Sequence, residues 1–396
     1  MKILLVNENR DGQSGGVEYY RMLKPNHVIR SLKRFEGQFD FTSVNGITIG
    51  EDVTSNDGLL INDEWLSQFD LVHFCRGIAP YPFIEQVCDR LTRLNIPFGL
   101  DLDDYWKLPT HHSLYNHYKN WVMTEAIIKC IRESLFITTT TPILRDEIAK
   151  LNPNVYVLEN GIDLLDPVWE ATPTSDIPRF GFMQGTTHLE GMKLVAPAVK
   201  KLLNEKKYEG KFKIKLAGFW AQPNMTEPSI PMIYESMLTD YYKTLRFNPA
   251  YQAYLKQYTN LENDKFNDFV YQRIWAVGVK EFGKCYDQID ISVIPLIEDK
   301  FNSCKSELKL LEAGFKGRAC IVSNVKPYTL LANDKNSFLI NKTDSWHLTM
   351  KYCIDNPNAV ADKASQLRYD VIKNYSLQGL ADKRAEVYKK YGRKEK

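Results

Sequence analysis

Short apolar runs separated by amphipathic stretches recur along most of the chain. KILLV at the start, then FDFTSV, FDLVHFC, IPFGL and VYVL, are each about one strand long, and the segments between them carry helical spacing. Uninterrupted apolar strands belong in a parallel sheet covered on both faces, whereas a half-solvated strand would alternate. WVMTEAIIKCIRESLFITTTTPILRDEIAKL reads in order as helix, strand, helix. The series begins again at RFGFM and continues through KFKIKLAGFW, ISVIPL and ACIVS. Between the two series lies LLDPVWEATPTSDIP, whose prolines, threonines and aspartates read as a linker. Two α/β domains are expected, which suits 396 residues. Residues 221–275 break the rhythm with Tyr234, Tyr241, Tyr242, Tyr251, Tyr254, Tyr258 and Tyr271 at mainly helical spacing. They read as a small helical subdomain, or as a stacking surface for a sugar or base. Helices from Trp346 to Lys373 and from Leu377 to Lys390 end the pattern.

The most informative stretch runs from Phe301 to Tyr328, FNSCKSELKLLEAGFKGRACIVSNVKPY. Asn302 or Ser303 is expected to cap a helix, because either side chain accepts from a free backbone N–H. Cys304, Leu308, Leu311 and Phe315 form one apolar face, and Lys305, Lys309, Glu312 and Lys316 repeat the spacing on another. Gly314 and Gly317 are expected to end the helix before the buried strand ACIVS. The polar face reads either as a solvated surface or as a ligand grip. The second reading follows from position: the helix succeeds ISVIPL, so its start should lie at the carboxyl end of a strand, where open α/β sheets bind ligands. Lysines and free N–H groups there suit a diphosphate, and a carboxylate two turns on suits a ribose hydroxyl pair.

Composition narrows the classes without choosing among them. A 44% hydrophobic and 25% charged chain is ordinary for a globular protein, and a net charge of +2 gives no general case for nucleic acid or membrane binding. The seven cysteines are scattered without metal-ligand spacing, so reduced buried thiols in a cytoplasmic protein are expected. No stretch approaches the roughly 18 apolar residues of a membrane span, so contact with a lipid-linked acceptor would be peripheral. IPFGLDLDDYW places Asp101, Asp103 and Asp104 at the carboxyl edge of a strand. They either bind a cation or act as a base, or they cap the next helix and orient nearby histidines; a structural or acceptor-side role is placed ahead of metal binding. His111 and His112 follow closely. His73, inside an apolar run, reads as a core histidine, and Asp290 as a cap on strand entry.

The segment IPLIEDKFNSCKSELKLLEAGFKGRACIVSNVKPY resembles the donor-site segment of GT-B glycosyltransferases of the glycosyltransferase 1/4 type. The resemblance implies that Glu312 holds the ribose of a nucleotide sugar and that Lys305, Ser306 and Lys309 grip its diphosphate. One departure is plain: many relatives carry a glutamate eight residues before the ribose glutamate, where this chain has Cys304. The opening Gly-Val-Glu-Tyr-Tyr-Arg run is similar to the first loop of bacterial and phage GT-B enzymes, which implies sugar or acceptor contacts for that loop, Gly16 included; Arg21 then reads either as meeting a phosphate or carboxylate or as a helix-surface arginine. Gly185, Thr186, Thr187 and His188 resemble the family's donor-side loop, with His188 stabilising the leaving diphosphate. Glu190-Gly191 departs from the usual acidic position, and Lys193 reads as an exposed helix lysine. Val277 to Phe282 fall where relatives surround the nucleotide base.

The expectation is therefore an α/β chain of the GT-B fold, two Rossmann-like domains facing across a cleft with a helical insertion in the second. Its parts are 1–165 as the acceptor-side domain, 166–178 as the linker, 179–375 as the donor domain, and 376–396 as a helix crossing back to the first. The implied activity is sugar transfer from a nucleotide-diphosphate sugar, with retention of configuration, to a cell-surface glycan or lipid-linked sugar. A phage-type transfer to a hydroxymethylated DNA base is the alternative acceptor reading, and a non-catalytic sugar-nucleotide-binding protein the alternative of another class. His188, Lys305, Asp103 and Asp104 are assigned to catalysis. Gly16, Gly185, Thr186, Thr187, Lys305, Ser306, Lys309 and Glu312 are assigned to the donor, and Arg21, Asp101, His111 and His112 to the acceptor side. No tightly bound cofactor or protein-held metal is expected; the nucleotide sugar is a co-substrate, and a divalent cation is admitted but not required.

Overall fold

The computed structural model describes residues 1–7, 15–46, 62–183, 188–219, 237, 270–275, 277–343 and 345–393. The chain forms two compact units. The first comprises Met1–Leu164, Ser303–Ser306 and Asn374–Lys396, and the second Leu165–Asn302 and Glu307–Lys373.

The first unit is built on a six-stranded parallel sheet in the order β2-β1-β3-β4-β5-β6. Its strands are β1 (Lys2–Asn7), β2 (Asp40–Asn45), β3 (Leu71–Cys75), β4 (Phe98–Leu102), β5 (Phe136–Thr139) and β6 (Val155–Val157). Alternate residues of β1 enter different cores: Leu4 and Val6 join one, Ile3 and Leu5 the other. Both faces are thus covered, which is why the strands read as unbroken apolar runs. The second of these cores is completed by Ala381, Ala385 and Tyr388 of the Leu377–Tyr391 helix. Gly99 in β4 is required by packing, since a Cβ there would lie 2.3 Å from the Phe136 ring.

The segment ENGID after β6 fastens this closing helix. Ile162 pairs with Ser376 in a parallel bridge, Ile162 N–H donating to Tyr375 O at 3.0 Å and Leu377 N–H to Ile162 O at 2.9 Å. Gly161 lets the two chains approach, because a Cβ would lie 2.9 Å from Tyr375 O. Asp163 forms an ion pair with Lys24 at 2.9 Å and accepts from Gln378.

The second unit has its own six-stranded parallel sheet, β12-β11-β10-β7-β8-β9. The strands are β7 (Arg179–Met183), β8 (Lys213–Phe219), β9 (Tyr271–Trp275), β10 (Ile291–Ile294), β11 (Ala319–Ser323) and β12 (Phe338–Ile340). Asp290 secures the entry of β10 and β7 together. It accepts from the Arg179 backbone N–H at 2.9 Å, from its guanidinium at 2.8 and 2.7 Å, and from Ser175 N–H at 3.0 Å.

Several sequence readings change. Residues 166–178, read as a linker, are fastened to the second unit: Trp169 is buried, Lys316 donates to Val168 O at 3.1 Å, and Arg318 to Thr172 O at 2.8 Å. Most of the predicted insertion at 221–275 lies outside the described residues, but its end is strand rather than helix, with Tyr271 buried in β9. The helix predicted from Trp346 to Lys373 is two, Ser345–Asp355 and Pro357–Tyr375, because Pro357 starts a new helix where its missing N–H costs nothing.

The predicted helix start at Asn302 or Ser303 is also corrected. Asp299 accepts from the Asn302 backbone N–H at 2.7 Å and begins a single turn, Lys300–Ser303. The helix carrying Glu312 runs only from Leu308 to Phe315. Cys304 leaves the face assigned to it and lies fully buried in a first-unit core with Leu102 and Trp106. Gly317, at φ +68°, stops the chain in the left-handed region, whereas Gly314 lies inside the helix, where a Cβ would meet Val371 at 2.9 Å.

Candidate functional site

Strand order locates where ligands should gather. In the first sheet the connections reverse direction between β1 and β3, and in the second between β7 and β10. The crevice outside the carboxyl ends at such a switch point is the usual binding place in an open α/β sheet.

At the first switch point the helical run 16–31 begins with Gly16, where a Cβ would meet nothing within 4 Å. Its second turn is a π-helix, Tyr19–Leu23, a form that recurs at functional sites. Arg21 sits in that turn and is 1% exposed. Its guanidinium grips Asp101, itself fully buried, from Nε at 2.9 Å and Nη2 at 2.8 Å, and donates from Nη1 to Leu158 O at 2.6 Å and Asn160 Oδ1 at 3.2 Å. Burial pushes the Asp101 carboxyl up, but the guanidinium outweighs it and holds the pKa below its ordinary value. Arg21 and Asp101, expected on the acceptor side, are therefore enclosed and committed to each other; they position the edge rather than offer it a contact.

The pair belongs to a longer chain of hydrogen bonds. Thr138 donates to Asp101 at 2.6 Å and Tyr388 to Asn26 Oδ1 at 3.0 Å; the His73 ring nitrogens lie 3.1 Å from Thr138 Oγ1 and 3.1 Å from Tyr388 Oη, and the neutral ring, with a single N–H, donates to one of the two. In the other direction Asn160 Nδ2 donates to Ser306 Oγ at 2.9 Å. Residues from both ends of the chain thus meet at the edge. His73 is fully buried, and burial lowers its pKa to about 3, so it is a neutral core histidine as read.

Asp103 and Asp104 follow β4 and are only partly covered. Asp103 Oδ1 lies 3.7 Å from Arg76 Nε, and Asp104 Oδ1 lies 3.6 Å from Lys305 Nζ. Their environments drive the two carboxyls apart. Burial, then the neighbouring Asp104 charge, raises Asp103 to about 7 against the pull of Arg76. Asp104 is lowered, because Lys305 and Arg76 outweigh its burial, with His112 adding to them. Such a split gives one carboxyl that titrates near neutrality and one that stays charged. His111 is exposed, and His112 Nδ1 accepts from Leu114 N–H at 3.1 Å. Among the described residues no group of three or more His, Cys, Asp and Glu could hold a metal ion.

At the second switch point His188 stands at the start of the Leu189–Leu203 helix; Gly185, Thr186 and Thr187 lie outside the described residues. Gly191 brings this helix against the end of β10, since a Cβ would lie 2.7 Å from Pro295 O. Lys193 is exposed and pairs with Glu190. Beyond β10, Glu312 is 4% exposed on the Leu308–Phe315 helix and accepts from Tyr286 Oη at 2.8 Å. Tyr286 belongs to the Gly283–Tyr286 helix, directly after the Val279–Glu281 turn assigned to the nucleotide base. Lys316, placed on the same polar face, is buried and pairs with Asp287 at 2.6 Å, so the face is not a solvated surface. Lys309 is partly exposed, one turn before Glu312. The motif divides between the units: Lys305 and Ser306 group with the first, Lys309 and Glu312 with the second.

No protein-family model and no curated protein matches the sequence. Solved structures do match. A glycosyltransferase from Rickettsia africae ESF-5 superposes with a TM-score of 0.62 at 16% identity over 98% of both chains. HepE from Anabaena, solved in complex with UDP and glucose, gives 0.61 at 14% identity over 98% of this chain and all of its own. Sucrose-phosphate synthase from Thermosynechococcus elongatus gives 0.62 at 11% identity over 98% of both. The chain has the GT-B fold. At these identities the likeness is one of fold, and the two parallel sheets of the GT-B chain are what it rests on. Asn160, which joins Arg21 to Ser306, is not among the site residues expected from sequence. The aromatic residues Tyr115, Tyr118 and Trp121 are not among them either, and their close spacing is the signal the sequence offers.

Proposed function

We propose that this GT-B chain is a nucleotide-sugar-dependent glycosyltransferase. The observation that carries the reading is Glu312: a buried carboxylate, oriented by Tyr286, beyond the strand at the second sheet's switch point. A carboxylate there suits a ribose hydroxyl pair, and Lys309 with the start of the Leu189–Leu203 helix and His188 suits a diphosphate. A UDP-sugar is the donor to try first, since Anabaena HepE is solved with UDP and glucose.

On the acceptor side we assign Asp103 to accept a hydrogen bond from the attacking hydroxyl, with Asp104, Arg76 and Lys305 setting its charge. The bond from the anomeric carbon to the diphosphate breaks, a bond to the acceptor oxygen forms, and the acceptor proton leaves with the diphosphate. Retention of configuration is the outcome implied by the family resemblance, and proton NMR of the first-formed anomer reads it. A glycan or lipid-linked hydroxyl is placed ahead of a hydroxymethylated DNA base, because a net charge of +2 gives no excess for phosphate contacts. No helix among the described residues is long and apolar enough to cross a membrane.

The test is a donor-hydrolysis screen over UDP-, GDP-, ADP- and dTDP-sugars with released nucleotide measured by mass spectrometry. Release from one donor, lost in Glu312→Ala, supports the reading, and absence of nucleotide binding overturns it. A second reading, donor binding without transfer, is favoured by Cys304: its thiol is fully buried, so the glutamate of the relatives has no acidic substitute there. Nucleotide binding with neither hydrolysis nor transfer to any acceptor would select it.

A further inference from the structure

Beside Arg76, at the first sheet's switch point, the first unit contains a cavity of about 260 Å³. Its floor is mainly apolar: Val6, Ile78, Ala126, Ile127 and Cys130 are all at most 8% exposed, with Asn7, 4% exposed, as a buried polar neighbour. Cys130 is a neutral thiol, raised to about 11 by burial. The rim is aromatic, with Tyr81 and Trp121 exposed by 44% and 68% and Tyr118 between floor and solvent. Arg76 lines the same cavity and lies 3.7 Å from Asp103.

The backbone supplies an independent observation. Among the described residues three non-glycine positions have positive φ, and two of them border this cavity: Arg76 at 63° and Val122 at 53°. Val122 lies between Trp121 and Met123, both of which line the cavity. A β-branched residue in the left-handed region is a steric outlier, and such strain gathers where a site must be held in shape.

The floor decides the ligand class. Most sugar hydroxyls set against it would lose their water hydrogen bonds, since among the described residues of the lining Asn7 is the one buried polar side chain. A flat apolar ring loses nothing, and an apolar cavity of about 150 Å³ already admits benzene. We propose that this cavity receives an aryl or similarly compact apolar group carried by the acceptor, its hydroxyl-bearing part left at the rim beside Arg76 and Asp103. The acceptor assignment rests on the function proposed above; the ligand class rests on the cavity.

Phenyl and methyl β-D-glucopyranoside would be titrated into the full chain without donor, read by saturation-transfer NMR and calorimetry. The expected result is at least tenfold tighter binding of the phenyl glycoside, with the preference removed by Ala126→Phe, which fills the floor, and reduced by Trp121→Ala. Trp121 is exposed, so that variant tests the site even if Ala126→Phe fails to fold. Equal binding of the two glycosides, or a preference surviving both substitutions, overturns the proposal. Tighter binding of free adenine than of the phenyl glycoside overturns it too, in favour of base recognition. Phenyl preference with no donor turnover in the parallel screen supports the cavity's ligand class while counting against transferase activity, so the two failures are distinguishable.

Discussion

Replacing Arg21 by methionine removes the cation that, among the described residues, is bonded to Asp101, while keeping a long side chain in the core. Two guanidinium bonds to the carboxylate are lost, and Leu158 O and Asn160 Oδ1 lose a donor. Asp101 retains the Thr138 hydroxyl but stays fully buried. Breaking a buried pair from one side costs about 3–5 kcal/mol, chiefly because the remaining charge is uncompensated. At about 1.4 kcal/mol per tenfold, amide protection in β4 and β5 should fall roughly a hundred- to a few thousand-fold. Hydrogen exchange with mass spectrometry reads this peptide by peptide, and β10 and β11 in the second unit serve as the internal control. Adding Asp101→Asn should recover about 1–3 kcal/mol relative to the sum of the single changes, since the orphaned charge goes with it. A fall of less than tenfold in β4, or an equal fall in β10, would refute the view that this pair holds the first unit's carboxyl edge.

The remaining predictions concern chemistry and packing. Glu312→Ala should weaken nucleoside diphosphate binding by about tenfold or more, from charge-assisted bonds worth about 1.5–3 kcal/mol each, and Tyr286→Phe by less; calorimetry with UDP reads both. In the role proposed for it, Asp103 is ionised when it accepts from the acceptor hydroxyl, so the proposed transfer should speed up with pH and level off above about 7, and Asp103→Asn should lose that limb. The same raised carboxyl holds a proton, between pH 3.8 and about 7, that the unfolded chain has released; its contribution to stability therefore falls as pH rises through that window, and denaturant titrations of wild type against Asp103→Asn should show it. Gly191→Ala must move the helix or the β10 end, since its Cβ would lie 2.7 Å from Pro295 O; a loss of about 1–3 kcal/mol is expected in urea unfolding of the second unit.

The sequence by itself determined the class of fold. Apolar runs of strand length, bare of alternation, require sheets covered on both faces, and the split of β1 between two cores is that requirement met. The Lys305 to Glu312 run was legible because it is contiguous, so its spacing is visible without coordinates. Local periodicity misled where a partner lay far away in the chain. It put Cys304 on one face with Leu308, but a core built from residues 4–148 claims that side chain and breaks the helix before Leu308. It left Lys316 and Glu312 open as a solvated face, although Asp287 and Tyr286 bury them. Arg21 and Asp101 stand 80 positions apart, and Asn160 and Ser306 146. Only the tertiary structure decided that these residues share one hydrogen-bonded edge, because a buried charge takes its partner from whatever the packed sheet brings within reach, and spacing along the chain carries no record of that.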